Sequence, residues 1–254
     1  MGTDELYPPR RLAAAQRATA AAGLDALLLS PGSDLRYLTG YDAHAGERLT
    51  LLVLPAEGEP TLIVPTLERP AAEASPAPAT GVRVVDHADG TDPYPLVAAA
   101  LGGPVATVGL ADRMWAEQVL ALRTAVPGAR QRLASEVLRE LRIHKSAAEI
   151  AALAEAGAAI DAVHARMGEW LRPGRTEVEV AADVAAAIRI GLDGHEEPYV
   201  VAGNDRPLAA GMAFSVEPGI YLAGRHGARI EDIVVCTTDG VRRLNTTPTE
   251  LIAL

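Results

Sequence analysis

The sequence of 254 residues predicts a mixed α/β (α+β) protein made of two domains. In the first half, short apolar runs alternate with helical segments, which is typical of a sheet covered by helices. In the second half, long Ala-rich segments with helical spacing precede several strand-like runs separated by turns. We place the boundary near Arg132–Ala134, so the domains are residues 1–132 and 133–254, the second with helices followed by a mostly antiparallel sheet.

The first domain is predicted from its apolar runs and from the Gly and Pro residues that separate them. Residues 10–22 favour a helix that Gly23 closes in the left-handed conformation. Residues 31–41 and 69–81 are rich in turn formers or Pro and are predicted to be irregular. The strand candidates are DALLLS (25–30), LTLLVLP (49–55), PTLIVP (60–65), VRVVD (82–86) and VATVGLA (105–111), with helices near 93–101 and 113–123.

The second domain begins with a helix whose start is marked by a capping box. Ser146 is the predicted N-cap and Glu149 lies three residues further on, the spacing at which each side chain reaches the other residue's backbone N–H. Thr176 and Glu179 repeat this pattern at the start of a second helix that runs to Ile188. The strand candidates that follow are EPYVVA, MAFSVEP, ARIEDIVVCT and VRRLN.

Composition and charge exclude several classes of function. The net charge is −10 and no Lys/Arg-rich run is present, which argues against nucleic acid or an anionic membrane as the main partner. No apolar run approaches the length of a membrane span. The single cysteine, Cys236, cannot form an intrachain disulfide and fits a reducing compartment. We therefore expect a cytoplasmic protein.

The strongest physical signal is a pair of carboxylates. Glu217 and Glu231 are equally distant from Gly224, within two strand candidates joined by a turn. If this hairpin closes symmetrically, the two residues face each other with Cβ atoms ~5 Å apart, which is destabilising for like charges without a cation, a shared proton or a basic partner. Opposed carboxylates suit divalent metals, and Arg229 is a candidate counter-charge. An offset hairpin would instead leave both glutamates solvated.

His195 is ambiguous from its local sequence. It is followed by Glu196 and Glu197, which are adjacent and therefore cannot share one face of a strand or helix. Pro198 prevents the helix that an H-E-x-x-H zinc site requires. A single histidine in a loop is more often structural or exposed than catalytic. The local residues alone leave both interpretations open.

Three motifs, taken in order, resemble those of the Xaa-Pro dipeptidase/aminopeptidase P family of M24 metallopeptidases, which includes creatinase. They are GHEEPYVV, SVEPGIYL and RIEDIVV, and upstream stretches such as GLDALLLSPGSDLRYLTGY and LRIHKSAAEIAALAEAGAAID extend the likeness over nearly the whole chain. The resemblance implies a creatinase-like N-terminal domain followed by a catalytic domain with the pita-bread fold. It also implies hydrolysis of the bond before proline, with a proline-containing dipeptide or peptide as substrate, and a homodimer.

The resemblance also assigns roles to individual residues. Family members hold two metal ions with two aspartates, one histidine and two glutamates, and Glu217 and Glu231 match the glutamates. His195 matches a histidine that handles the substrate and the tetrahedral intermediate, and Arg229 matches a position beside the metals. The implied cofactor is a divalent metal, Mn²⁺ or alternatively Co²⁺ or Zn²⁺.

The departures from the family pattern predict an impaired site. The stretch carrying both aspartates and the ligand histidine is absent, as if an internal block were deleted between Ile188 and Ile190 and the pita-bread domain were truncated. With three of the five ligands missing, metal binding is expected to be weak or absent and peptidase activity impaired or lost. The alternatives are a non-catalytic pseudo-peptidase that binds a peptide or protein partner, and a metal-free creatinase-like amidinohydrolase.

Overall fold

A computed structural model describes residues 6–170, 179, 207–217, 219–222, 226–229 and 231–248. The chain divides into two compact units, Met1–Arg142 and Ile143–Leu254. This division falls later than the boundary predicted between residues 132 and 133, because Ala134, Val137 and Leu138 are buried in a core of the first unit. The domain limits drawn from the sequence remain a prediction.

The first unit is a sheet with helices, as the alternating pattern predicts. Over the described residues, six strands form one sheet in the order β4-β3-β2-β1-β5-β6. Strand β2 runs antiparallel to both β1 and β3, and the other neighbours are parallel. The elements are α1 (Pro9–Ala21), β1 (Ala26–Leu29), α2 (Ser33–Thr39), β2 (Leu51–Pro55), β3 (Thr61–Pro65), α3 (Arg69–Ala74), β4 (Arg83–His87), α4 (Tyr94–Leu101), β5 (Thr107–Leu110), α5 (Ala116–Ala125), β6 (Arg130–Leu133) and α6 (Ser135–Ile143).

Both faces of this sheet are buried. Successive side chains of a strand point to opposite faces, so Leu27 and Leu29 of β1 pack into one core whereas Ala26 and Leu28 pack into the other. Strands β2 and β3 divide their side chains between the same two cores. This two-sided burial explains why these strands appear in the sequence as continuous apolar runs.

The prediction of irregular structure at residues 31–41 is wrong for Ser33–Thr39, which form α2. Leu35 and Leu38 are three residues apart and fully buried, so the core holds one face of this short helix. Gly40 ends it in the left-handed conformation at φ +72°. Local turn chemistry predicted a loop, but tertiary burial determines the conformation of the segment.

Two further elements of the first unit differ from the prediction. Arg69–Ala74, predicted as part of a Pro/Ala loop, form α3, since Pro70 lies in the first turn, where no helical N–H partner is needed. Ser75, which precedes Pro76, is extended and ends that helix. Strand β6 was not predicted because RQRL is polar and lies at an exposed sheet edge.

The second unit opens with the predicted capping box. Helix α7 (Ala147–Trp170) follows Ser146. The Ser146 N–H donates to Glu149 Oε2 at 2.8 Å, and the Glu149 N–H donates to Ser146 Oγ at 3.3 Å. These two bonds satisfy N–H groups that no helical carbonyl can reach. The predicted second helix lies outside the described residues except for Glu179, which is helical.

The strands of the second unit are antiparallel, as the sequence predicts. They are β7 (Ala213–Val216), β8 (Gly219–Leu222), β9 (His226–Arg229), β10 (Asp232–Cys236) and β11 (Val241–Arg243). In the described part of the chain, β11, β10 and β7 form one sheet in that order and β8 pairs with β9. Ala213, Val235 and Leu244 are buried together with side chains of α7. Met212 and Cys236 are buried with Ile143, so Cys236 is a core residue.

No helix within the described ranges is both long enough and apolar enough to cross a membrane.

Candidate functional site

Two antiparallel ladders meet at the predicted carboxylate pair, and both are symmetric about residue 224. In the first ladder, Gly219 pairs with Arg229 and Leu222 pairs with His226. In the second ladder, Val216 pairs with Asp232, and the register continues to Ala213 and Val235. No residue is inserted on one side between the two ladders, because both keep the same register. Both described ladders have the register of the symmetric hairpin, which is one of the two arrangements that the sequence left open.

This register places Glu217 opposite Glu231. Glu217 follows Val216 and Glu231 precedes Asp232, which are themselves partners. An offset hairpin, which would separate the two glutamates, does not fit the register of either described ladder. Like charges at directly opposed positions destabilise an antiparallel pair, and a cation is one of the partners that would offset this repulsion.

The neighbours of the two glutamates define the sheet face on which they lie. Ser215 is two residues before Glu217, on the same face, and its hydroxyl donates to Glu217 Oε1. Glu217 is half-buried, whereas Glu231 is exposed. Asp232 belongs to the opposite face, because it contacts Arg243, whose strand partner Val234 lies two residues from Asp232.

The other predicted site residues are only partly covered by the described residues. His195 lies outside them, so its role at the substrate stays a prediction. Arg229 belongs to β9 and its backbone pairs with Gly219, two residues before Glu231. This position agrees with a place beside the carboxylates, and the function of its side chain also stays a prediction.

The donor set decides which metal chemistry the described residues can support. Two opposed carboxylates provide hard oxygen donors that suit one divalent cation. Among the described residues, no group of three or more His, Cys, Asp or Glu side chains is gathered in a metal-binding arrangement. A two-metal hydrolytic centre needs more ligands than a single carboxylate pair. The described residues therefore offer donors for one divalent ion and do not by themselves supply the ligands of a two-metal centre.

Sequence reasoning missed the polar residues that hold the strand beside Glu231. Asn245, which is 7% exposed, contacts Asp232 and Ile233, and Asp161 of α7 accepts hydrogen bonds from Thr246 and Thr247. The only local signal is the run of polar residues in LNTT after β11. The partners of these residues are distant in the chain, so spacing alone could not identify them.

Comparison with known proteins identifies the family of the first unit and of the whole chain. Residues 11–144, more than half of the chain, match the creatinase/prolidase N-terminal domain. A protein named probable dipeptidase PepE from Mycobacterium tuberculosis is 38% identical over 366 residues, covering 98% of this chain and 97% of that protein. The chain belongs to the creatinase/prolidase family. Residues 187–238 of this family member match metallopeptidase family M24.

Other relatives agree with this membership. A Xaa-Pro dipeptidase from Lactobacillus delbrueckii is 49% identical over 65 residues, which is 26% of this chain and 18% of that protein. The crystal structure of dipeptidase PepE from Mycobacterium ulcerans matches with a TM-score of 0.86 and 38% identity, covering 99% of this chain and 98% of that one. A prolidase from Thermococcus sibiricus has the same fold, with a TM-score of 0.86 at 23% identity.

The alignment with the Mycobacterium tuberculosis relative also shows that this chain lacks an internal part of that protein. Its aligned length of 366 exceeds the 254 residues of this chain by 112. At least 112 positions of the alignment therefore have no residue in this chain. Because the alignment covers nearly all of both proteins, the missing positions lie within the chain and not beyond its ends.

Proposed function

We propose that this chain is an Xaa-Pro dipeptidase-type metallopeptidase by descent, with a hydrolytic site that is incomplete. The observation that carries the proposal is the opposition of Glu217 and Glu231 in one register, in a chain that lacks at least 112 positions of its relative. The pair is retained, and the missing block removes the remaining ligands. We expect hydrolysis of the bond before proline to be impaired or lost.

The missing block is proposed to lie between Ile188 and Ile190 in the catalytic domain. The match to the N-terminal domain model runs from residue 11 to 144, whereas the M24 match is confined to residues 187–238. This distribution favours a deletion in the second half, before the motifs that carry His195 and the glutamates. Loss of two aspartates and one histidine there would leave two of five ligands.

The chemistry expected of the remaining residues is limited. Glu217 and Glu231 would hold one divalent cation, with Mn²⁺ as the proposed ion and Co²⁺ or Zn²⁺ as alternatives. Ser215 orients Glu217 through its hydroxyl. His195 would act on the substrate side, and Arg229 would offset the charge of the carboxylates. We further propose that the chain is a cytoplasmic homodimer and that its ligand is a proline-containing dipeptide or peptide.

The first alternative is a non-catalytic pseudo-peptidase that binds a peptide or protein partner. The observation that favours it is the contrast between a well-buried first unit and a short M24 match. A protein that lost catalysis while keeping a binding domain would show this contrast. The metal-free creatinase-like alternative ranks below it, because the proton-transferring histidine of creatinase-like enzymes belongs to the missing block.

Hydrolysis of an Xaa-Pro dipeptide with added Mn²⁺ tests the proposal. The wild-type chain is compared with Glu217→Ala, Glu231→Ala and Glu155→Ala, the last of which removes an exposed glutamate of α7 as a matched control. We expect turnover close to the metal-free background in all four. Mn²⁺-dependent turnover that is abolished by Glu217→Ala and Glu231→Ala but kept by Glu155→Ala would show a working site and refute the impaired one.

Binding of the dipeptide separates the alternatives. Calorimetric titration with an Xaa-Pro dipeptide, in the absence of metal and without cleavage, measures this binding directly. Binding that persists in Glu217→Ala and Glu231→Ala supports the pseudo-peptidase. Metal-free hydrolysis of creatine that requires both glutamates would support the creatinase-like alternative instead.

A further inference from the structure

Glu231 lies just outside the hydrogen-bonded part of its sheet. Strand β10 begins at the next residue, Asp232, and its last backbone pair toward β11 joins Val234 to Arg243. On that side, the backbone groups of Ile233 need other partners, because those of Asp232 point toward β7. An unpartnered buried N–H there would cost about 1–3 kcal/mol.

The regular continuation of the ladder stops at Leu244, whose carbonyl group lies against helix α7. In an antiparallel sheet the N–H and C=O of one residue point to the same neighbour, so Ile233 should exchange both bonds with Leu244. The Leu244 N–H does donate to the Ile233 carbonyl at 2.8 Å. The Leu244 carbonyl oxygen, however, lies toward Gly157 of α7, only 2.6 Å from where a Cβ of that glycine would stand.

Asn245 replaces the displaced carbonyl. Its side-chain Oδ1 accepts the Ile233 N–H at 2.7 Å, and its Nδ2 donates to Asp232 Oδ1 at 2.8 Å. Arg243 donates to the same oxygen of Asp232 at 2.7 Å. We call Asn245 with its two partners, Asp232 and Ile233, the Asn245 clamp. Only an amide can make both contacts, since aspartate cannot donate and alanine can do neither.

We infer that Asn245 is a positioning residue for Glu231: the Asn245 clamp holds the two residues after Glu231 and thereby keeps its carboxylate opposite Glu217. This inference rests on the proposed role of the two glutamates as a metal-binding pair. On the β7 side, the pair Val216–Asp232 already fixes the backbone that leads to Glu217. The Asn245 clamp constrains Asp232 and Ile233 from the β11 side.

The first test measures the opposition of the two positions without any metal. Glu217→Cys and Glu231→Cys are combined with Cys236→Ala, and disulfide formation by diamide is timed. Directly opposed positions have Cβ atoms ~4.5–5.5 Å apart, close to disulfide geometry. We expect Asn245→Ala in this background to slow cross-linking about tenfold, the effect of losing about 1.4 kcal/mol of constraint.

The matched control is Asp161→Ala. Asp161 accepts its hydrogen bonds from the neighbouring residues Thr246 and Thr247, whereas the clamp bonds join Asn245 to Asp232 and Ile233. Asp161→Ala therefore loosens the segment that contains Asn245 without removing either hydrogen bond of the Asn245 clamp. We expect Asp161→Ala to change the cross-linking rate less than about twofold. This should hold even if Asp161→Ala lowers the melting temperature as much as Asn245→Ala does. Equal slowing by both variants, or none by Asn245→Ala, overturns the inference.

The second test uses Mn²⁺ alone, with the glutamates intact. Bound and free ion are measured by electron paramagnetic resonance, and we expect Asn245→Ala to weaken binding about tenfold, as is usual when a residue that orients a ligand is removed. Asp161→Ala should retain the wild-type affinity, and unchanged affinity in Asn245→Ala would count against the clamp. If the wild-type chain binds no Mn²⁺, the proposed metal pair fails, and the cross-linking rates alone decide the role of Asn245.

Discussion

The two units differ in how deeply their described strands are buried. In the first unit, β1, β2 and β3 lie between two cores, and every residue of these strands is buried. In the second unit, the described sheet has small buried clusters, and β11 is exposed along its length. The match to the N-terminal domain model spans residues 11–144, whereas the M24 match spans residues 187–238. The difference supports the proposal that the loss within the chain lies in the catalytic domain.

Removing a side chain from the centre of the first sheet should have the largest effect on stability. Leu28 is fully buried on β1, between β2 and β5. We expect Leu28→Ala to lower the free energy of unfolding by about 3 kcal/mol, because it removes buried methyl groups and leaves a cavity. Hydrogen exchange of the β1 and β2 amides measures this change.

The control for this variant lies in the same unit. Leu120 of α5 is 61% exposed, so Leu120→Ala should stay within about 0.5 kcal/mol of wild type. Equal effects of the two variants would mean that the first sheet is not the deeply buried structure described above.

A smaller effect is expected where α7 touches the end of the second sheet. A glycine-to-alanine change inside a helix normally stabilises by about 1 kcal/mol. At Gly157 the added Cβ would stand 2.6 Å from the Leu244 carbonyl oxygen and 3.0 Å from its carbon, both backbone atoms. We therefore expect Gly157→Ala to destabilise by about 1–3 kcal/mol, as measured by urea unfolding.

Gly103→Ala provides the matched substitution, because a Cβ at Gly103 meets nothing within 4 Å. Its stability should change by less than about 0.5 kcal/mol. If Gly157→Ala proved stabilising, the packing that turns the Leu244 carbonyl away from Ile233 would be wrong.

The smallest effect concerns pH and Asp161 of α7. Burial alone would raise the pKa of this carboxyl, but hydrogen bonds from Thr247 and Thr246 hold the pKa below its usual value. The ionised form is therefore favoured in the folded chain. Its contribution is complete above the unfolded pKa of about 3.9 and is lost as the pH falls through the lower folded pKa.

Asp161→Asn isolates this contribution. At pH 7 the variant should be less stable than wild type by about 1 kcal/mol, and the difference should shrink below about pH 4. Thermal unfolding followed by circular dichroism at both pH values measures it. A difference that stays constant with pH would show that the contacts to Thr246 and Thr247 do not depend on the charge.

The sequence predicts those features whose cause is local. The strand Ala26–Leu29 follows from a continuous apolar run, the start of α7 from Ser146 and Glu149, and the hairpin register from the symmetry about Gly224. Helix α2 and strand β6 were missed, because burial of Leu35 and Leu38 and parallel pairing with β5 outweigh local preference.

The candidate site likewise has a part that follows from the local sequence and a part that depends on distant residues. Chain distances predict that Glu217 and Glu231 oppose each other only if the hairpin is symmetric, and the register of the two ladders supplies this condition. The Asn245 clamp could not be predicted, because it accompanies the packing of the Leu244 carbonyl against Gly157, which lies far away in the chain. The roles of His195 and Arg229 come from resemblance to the family and remain predictions.

The metal content of the purified chain decides whether the second unit keeps only part of a hydrolytic site. After equilibrium dialysis against Mn²⁺, bound ion per chain is counted for wild type and for the Glu217→Ala, Glu231→Ala double variant. We predict at most one ion, with a dissociation constant weaker than about 10⁻⁴ M, that the double variant no longer binds. Two ions per chain held tightly by the wild type would contradict this, since a complete set of ligands would then be present.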